Sequence, residues 1–424
     1  MRLLLCALAA WLLLPELAHA QAEPVHAPPP ASVFRARRER LMKQLGPGVA
    51  VLYARGEETN DQFHASPDFY YLTGVDEEGA VLVLAPGERL NRDYLFLRSL
   101  DPDAERWTGV RPSLGDSLRT ALGFDVVGRA SGLDPTLVRL LEHHPILHQL
   151  AAPAGANSPP APEAELYNKL QSRILGVSEK NQQRALEHMR VVKDAAEIER
   201  MEKAIAITIT AEKVAARAIR PGVQENWVAG LIDLEYRRGG STRAAFPSIV
   251  GSGPNSCILH YPGHDHAIPA GSLVVVDIGA EVDRYAADIT RTFPADGHFT
   301  PEQRKVYELV LRVQNECIAM IKPGVYYEDV HRHAEEVFRA AGYRDAFLHY
   351  LGHGVGLEVH DVFDRGEPMK AGMVVTVEPG LYLSYRGFGV RIEDEVLVTS
   401  NGHRLLTAAL PRDPDEVERM MGAR

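Results

Sequence analysis

Cysteine is scarce in this chain: three occur among 424 residues, and no two are spaced Cys-x-x-Cys. A zinc ribbon and a thioredoxin-like redox site are thereby excluded. No disulfide framework exists either, because Cys6 sits in an N-terminal apolar run and Cys257 with Cys317 could form one bridge at most. The longest apolar run, Leu3 to Leu14, is too short to span a bilayer. Positive charge is also in deficit: the formal net charge of -11 argues against nucleic acid as a partner. Glycine-rich "GSGPNS" and "GHGVG" lack the lysine that ends a phosphate-binding loop, and "HRHAEE" at His331 lacks the His-Glu-x-x-His register of a zinc peptidase helix. Ser248 and Ser252 stand in no nucleophile elbow.

What is present is an ordinary globular composition, 45% hydrophobic and 24% charged, long enough for two domains. Arg2, the apolar run and Ala18-His19-Ala20 have the layout of a secretory signal peptide cleaved after Ala20. Export to the periplasm or medium follows, with no stable membrane insertion after cleavage; an uncleaved anchor is the alternative. Residues 21–33 are Pro-rich and expected to be extended. From Phe34 the sequence alternates helical stretches with short buried strands, "GVAVLY", "GAVLVL" and "RDYLFL". "AAPAGANSPPAPE" (151–163) reads as a low-complexity loop. The expected division is a smaller α/β domain over 34–185 and a catalytic domain over 186–424.

The second part opens with a capping box, Asp194 and Glu197, ahead of Ile198, Met201, Ile205 and Ile209 at helical spacing. Helices follow over roughly 224–238, 301–321 and 327–341. Between them stand "VVVDIGAEVDRYAADITRTF", "LGHGVGLEVHD", "VVTVEPGLY" and "GVRIEDEVLV". Asp277 and Asp288 are eleven residues apart, Glu378 and Glu393 fifteen, intervals that suit antiparallel strands joined by a turn. The order of helices and acid-bearing strand pairs occurs twice, the layout of a duplicated unit.

Asp277 follows three valines and Glu378 follows Val374 to Val377, so both acids belong to buried runs. Buried carboxylates need cations or donors. Four of them with one imidazole, His353 between glycines, form the oxygen-rich set that two hard or borderline divalent ions require. Such a pair activates water at neutral pH, the chemistry of a dinuclear metallohydrolase. Carboxylate dominance favours Mn²⁺, with Zn²⁺, Co²⁺ and Fe²⁺ accepted by similar shells. His260 and His360, and more weakly His349, are candidates to hold a carbonyl oxygen or pass a proton to a leaving amine. His264-Asp265-His266 lies in a Gly/Pro loop and reads as a rim feature.

Those four segments, in order and with their flanking residues, resemble the "pita-bread" metallopeptidases: methionine aminopeptidase, aminopeptidase P and prolidase. The resemblance covers roughly Met189 to Met421. It implies a mixed α/β (α+β) chain whose catalytic domain is a pseudo-twofold antiparallel sheet. It also implies that Asp277, Asp288, His353, Glu378 and Glu393 are the dimetal ligands, with Asp288 and Glu393 bridging. "SPDFYYLTGVDEEGAVLVL" and "AERWTGVRPS" resemble the N-terminal domain of aminopeptidase P and prolidase, which methionine aminopeptidases lack. By that likeness the substrate is a peptide with proline second. Glu378 shuttles the proton, His260 and His360 meet the carbonyl, and His349, Tyr382 and Arg391 line the proline pocket. Trp107 in "ERWTG" resembles an aromatic reaching the site from a neighbouring subunit, and a dimer or tetramer is implied. The resemblance leaves open a prolidase acting on dipeptides; a metal-free hydrolase or a pita-bread binding module would lack ligands that are all present here.

Overall fold

The structure, a computed structural model, describes residues 29–59, 62–151, 161–263 and 265–422. The expected signal peptide, residues 21–28 of the Pro-rich segment, residues 152–160 of the loop and His264 lie outside the described residues. Among the described residues no helix is long and apolar enough to cross a membrane.

The three strands expected in the first half are Val49–Tyr53, Val81–Leu84 and Asp93–Leu97. They form the middle of a six-stranded mixed sheet, flanked by Val126–Arg129 on one side and by Ile146–Gln149 and Ser178–Asn181 on the other. Both faces are covered. Ala50, Leu52, Leu82 and Leu84 join one core with Leu41, Met42 and Phe69, whereas Val49, Val51, Val81 and Val83 join another with Leu137, Leu140 and Leu141. A sheet buried on both faces explains why these strands read as continuous apolar runs. Arg38, on the helix Ala31–Leu45, is fully buried beneath them. Its Nε lies 2.8 Å from Asp93, its Nη1 donates to the Leu72 carbonyl at 2.9 Å, and its guanidinium stacks 3.7 Å over Phe124.

In the second half Asp194 and Glu197 close the capping box, each accepting from the other's amide at 3.0 Å, and the helix Ala195–Ala218 runs from it. After the helix Glu225–Arg238, strand Leu273–Ile278 pairs antiparallel with Ile289–Pro294 and with Ile249–Ser252. The helices Pro301–Met320 and Tyr327–Ala340 precede a second strand group. There Val374–Val377 pairs with Asp394–Val398, and Gly380–Leu383 with Phe388–Arg391. A helix pair followed by a strand group thus occurs twice. The two groups meet where the Glu393 amide donates to the Thr290 carbonyl at 3.0 Å and Thr292 Oγ1 donates to the Arg391 carbonyl at 2.8 Å.

Neither acid pair sits on a simple hairpin. Between Asp277 and Asp288 a small hairpin, Glu281–Val282 with Tyr285–Ala286, supplies the turn. Asp283 and Arg284 at its tip have φ of 48° and 73°, as a two-residue hairpin turn demands. In the second group the ladder breaks between the Val377–Asp394 and Gly380–Arg391 pairs, and Glu378 and Glu393 occupy the break. Pro379, with no N–H to give, enforces it. The two thiols do not pair: Cys257 is half-buried in a short turn and Cys317 is buried in a helix, both as free cysteines.

Replacing Arg38 by Met would leave Asp93 buried without its cation, at a cost of about 3–5 kcal/mol. Urea unfolding should show a lowered midpoint for Arg38→Met; an unchanged midpoint would refute the importance of this pair.

Candidate active site

Four carboxylates and one imidazole reach one cleft, Glu378 and Glu393 from the strand break and His353 from a loop. Asp277 is the penultimate residue of its strand, paired on both sides, and Asp288 just precedes the partner strand. The Asp288 amide donates to Glu395 at 2.8 Å. Glu378 is placed by its own amide, which donates to the Leu351 carbonyl at 2.9 Å, and accepts from Thr376 Oγ1 at 3.2 Å. Glu393 Oε2 accepts from Thr290 Oγ1 at 2.7 Å. His353 rests on strand Val374–Val377 through its amide, which donates to Thr376 Oγ1 at 3.1 Å. The glycine before it, Gly352, allows this: a Cβ there would come within 2.5 Å of the Thr376 carbonyl and the Tyr327 hydroxyl.

A single side chain steadies both halves of the strand break. Gln314, buried on the helix Pro301–Met320, donates from Nε2 to the carbonyls of Val377 at 3.0 Å and Ile392 at 2.9 Å, and reaches Asp394 at 2.9 Å. Val377 and Ile392 immediately precede Glu378 and Glu393. Behind them Arg291 donates to the Glu393 carbonyl and pairs with Asp394 at 2.8 Å, all fully buried. Across the break, Arg391 and Glu393 line the cleft and Glu395 meets the Asp288 amide, following the expected alternation. Asp394 points the other way, into this polar knot.

The donor set fits divalent cations on three observations. Ligand atoms of Asp288, His353 and Glu393 all lie within 4.8 Å of one another. Asp277 Oδ1 and Glu393 Oε1 are buried with no hydrogen-bond partner, a costly state for a carboxylate unless an ion meets it. His353 Nδ1 meets the Gly354 carbonyl at 3.1 Å, which orients the ring so that Nε2 faces Asp288 at 3.4 Å and Glu378 at 3.3 Å, among the candidate ligands. Burial, and then the charges of Glu393, Asp277 and Glu378, push the Asp288 carboxyl far above its usual range. Burial and the charges of Glu378 and Asp277 do the same to Glu393. Burial also pushes Glu378 up, but the hydrogen bond from His353 and the nearby His349 and Arg391 outweigh it and hold Glu378 low.

These groups line a cavity of about 690 Å³ whose wall includes His260, His349, His360 and Arg391. The His260 and His360 rings face each other at 6.4 Å, and His360 stands edge-on to His353 at 4.2 Å. Tyr382 does not line the cavity. It is buried behind the wall, its hydroxyl 2.8 Å from His349 Nε2 and 2.9 Å from Arg391 Nη1, so it holds those two in place. Arg391 in turn meets Asp277 at 2.6 Å. Trp107 is not brought here within the chain: it is 90% exposed on the helix Pro102–Thr108. His266 pairs with the neighbouring Asp265 at 2.8 Å, away from the ligands, and Ser252 is bound to the buried Glu225.

Several wall residues carried no signal that sequence reasoning used. Phe246, Leu259, Phe363 and Arg365 line the cavity, with the Arg365 guanidinium 3.8 Å over the Tyr350 ring. "VFDRGEP", directly after Asp361 and closed by Gly and Pro, is the available hint to the last two. Gln314 and Arg291 had none, being polar residues whose partners are backbone carbonyls distant in sequence.

A carboxylate-rich cleft at the break of a duplicated strand group is a metallopeptidase site, and the chain belongs to metallopeptidase family M24, whose model matches residues 199–400. Residues 34–148 match the N-terminal domain of aminopeptidase P, which sets the chain among the aminopeptidase P proteins of that family. The Xaa-Pro aminopeptidase of Escherichia coli (strain K12) is 34% identical over 92% of this chain and 97% of its own length. The human Xaa-Pro aminopeptidase 3 is 31% identical over 84% of this chain and 76% of its own. Among solved structures, Pseudomonas aeruginosa aminopeptidase PepP superposes with a TM-score of 0.85 at 33% identity, covering 94% of this chain and 99% of that one. E. coli aminopeptidase P with the inhibitor Pro-Leu gives 0.82, also at 33% identity, covering 94% and 99%.

Burial and the neighbouring carboxylates raise Asp288 and Glu393, so a cation entering the site competes with protons for these two groups. Calorimetric titration of metal-free protein at pH 7, in two buffers of different ionisation enthalpy, should show release of about one or two protons on Mn²⁺ binding. Identical heats in the two buffers would contradict it.

Proposed function

We propose that this chain removes the N-terminal residue from peptides whose second residue is proline, with two divalent ions held by Asp277, Asp288, His353, Glu378 and Glu393. The observation that carries the reading is the convergence of all five side chains on the cavity wall that also presents His260 and His360. Relatives named Xaa-Pro aminopeptidase that align over most of the chain support the substrate class. Bound ions would supply an activated water and polarisation of the scissile carbonyl.

The chain's own residues do the rest. Glu378, on the cavity wall, accepts the proton of the attacking water and delivers it to the leaving nitrogen. That nitrogen belongs to proline and has no N–H, so a site that grips the peptide N–H gains nothing here. His260 and His360 meet the carbonyl oxygen as charge builds on it. Burial and the neighbouring His353 keep His360 below the usual imidazole range, so it is neutral in the resting site and donates from whichever nitrogen faces the oxygen. His349 and Arg391, fixed by Tyr382, form the floor against which proline packs.

The finer features belong to the same proposal. Four carboxylates to one imidazole favour Mn²⁺ over softer ions. The leader at 1–20 directs the chain across a membrane. A dimer or tetramer brings Trp107, 90% exposed in the single chain, to a neighbouring subunit's cleft.

Glu378→Ala should lose at least about 100-fold in turnover of an Xaa-Pro-Xaa tripeptide while circular dichroism and melting temperature stay near wild type. Substantial remaining turnover would sink the proton-transfer role. The unmodified protein with Mn²⁺ should cleave the tripeptide; cleavage confined to Xaa-Pro dipeptides would identify a prolidase instead.

A further inference from the structure

The segment that leaves the site at His353 comes back to it at His360, and Asp361 closes the excursion. The Asp361 amide donates to the Gly354 carbonyl at 2.9 Å, and Gly354 also bridges Val375 on the strand beneath. With the ends of the loop tied together, the position of Asp361 bears directly on that of the adjacent His360.

The Asp361 carboxylate is buried and receives two cations from one short stretch of chain. Lys193 Nζ lies 3.1 Å from Oδ2, and Arg190 Nη2 donates to Oδ1. Gly356 leaves the room, since a Cβ there would come within 2.8 Å of Lys193 Cε and closer still to Asp361. Lys193 and Arg190 together face three carboxylates, Asp361, Asp68 and Glu358, and Arg190 is the cation that reaches all three. Arg190 ends the helix Gln183–Val191, does not line the cavity, and is itself held at its far side. Its Nη1 donates to Asp68 at 2.7 Å, on the helix Pro67–Thr73 of the N-terminal domain, and Nη2 also reaches Glu358 at 3.0 Å. A planar fork fixed on both sides transmits direction as well as charge.

We propose that Arg190 is a positioning residue for the reaction: anchored by Asp68 of the N-terminal domain, it sets the place of His360 in the cleft through Asp361. The inference rests on the reading that His360 meets the scissile carbonyl. It gives the N-terminal domain a part in turnover beyond any part in covering the site.

The test is steady-state kinetics on an Xaa-Pro-Xaa tripeptide with Mn²⁺-loaded protein carrying Arg190→Gln, Arg190→Lys, Asp68→Asn or His360→Ala, and the Arg190→Gln/His360→Ala double substitution. Arg190→Gln should lower kcat about 10- to 100-fold with KM and manganese content little changed, and Arg190→Lys should recover part of the loss. In the His360→Ala background Arg190→Gln should cost nothing more, because the group it positions is gone. Equal losses in both backgrounds would mark Arg190 as merely structural and overturn the inference. Should Arg190→Gln fail to fold, Asp68→Asn, which removes only the far anchor, carries the same comparison. A reduced kcat that vanishes as an effect in His360→Ala supports positioning, and an undiminished kcat overturns it. Full activity of His360→Ala would overturn the reading of the cleft, and the inference with it. A loss there beside wild-type rates in Arg190→Gln overturns the inference alone.

Discussion

Like charges crowded into a buried wall set the terms for the rest of this molecule. Two carboxylates about 4 Å apart repel by roughly 4 kcal/mol at an effective dielectric of about 20, and burial adds to the penalty for each. Asp277, Asp288, Glu378 and Glu393 share one wall, and only Asp277 has an arginine directly upon it. Left bare, the cluster must take up protons; cations resolve the conflict without them. The site is therefore stable as a metal centre and costly as anything else, which is why the same geometry that strains the empty wall makes it competent for hydrolysis.

Everything around the wall serves to keep those charges from relaxing apart. Glu378 and Glu393 are mounted at a strand break, Asp288 just before a strand, and Asp277 on a strand paired on both sides. Thr290 and Thr376 each spend a hydroxyl on orienting one carboxylate. His349, Tyr382, Arg391 and Asp277 form an unbroken chain of hydrogen bonds and one ion pair from the cavity wall to a ligand. The candidate substrate-facing and metal-facing groups are thus linked through one set of contacts.

Much of this was legible in the sequence because it rests on local pattern. The buried runs before Asp277 and Glu378, the glycines about His353 and the alternation from Val390 to Glu395 each announce themselves within a few residues, and the strands of the first half follow from apolar runs covered on both faces. The capping box at Asp194 is equally local. What escaped depends on partners far apart in sequence. The break at Glu378 and Glu393 needs two strand pairs to be seen together, so a plain hairpin was the natural expectation. Tyr382 was assigned to the pocket lining, but its ring is turned behind the wall, and alternation along a short strand cannot reveal that a hydroxyl is claimed by His349 and Arg391. Phe246 and Arg365 reach the cavity only through tertiary folding.

Gln314 joins the residues before Glu378 and Glu393 through one amide, from a helix that never touches the cavity. Two candidate ligands on separate strands are therefore coupled, and the reach of a side chain outside the cleft bears on their spacing. Variation at such a position would leave the donor atoms untouched while altering the bite they offer. Related proteins with identical ligands could in this way come to prefer ions of different radius.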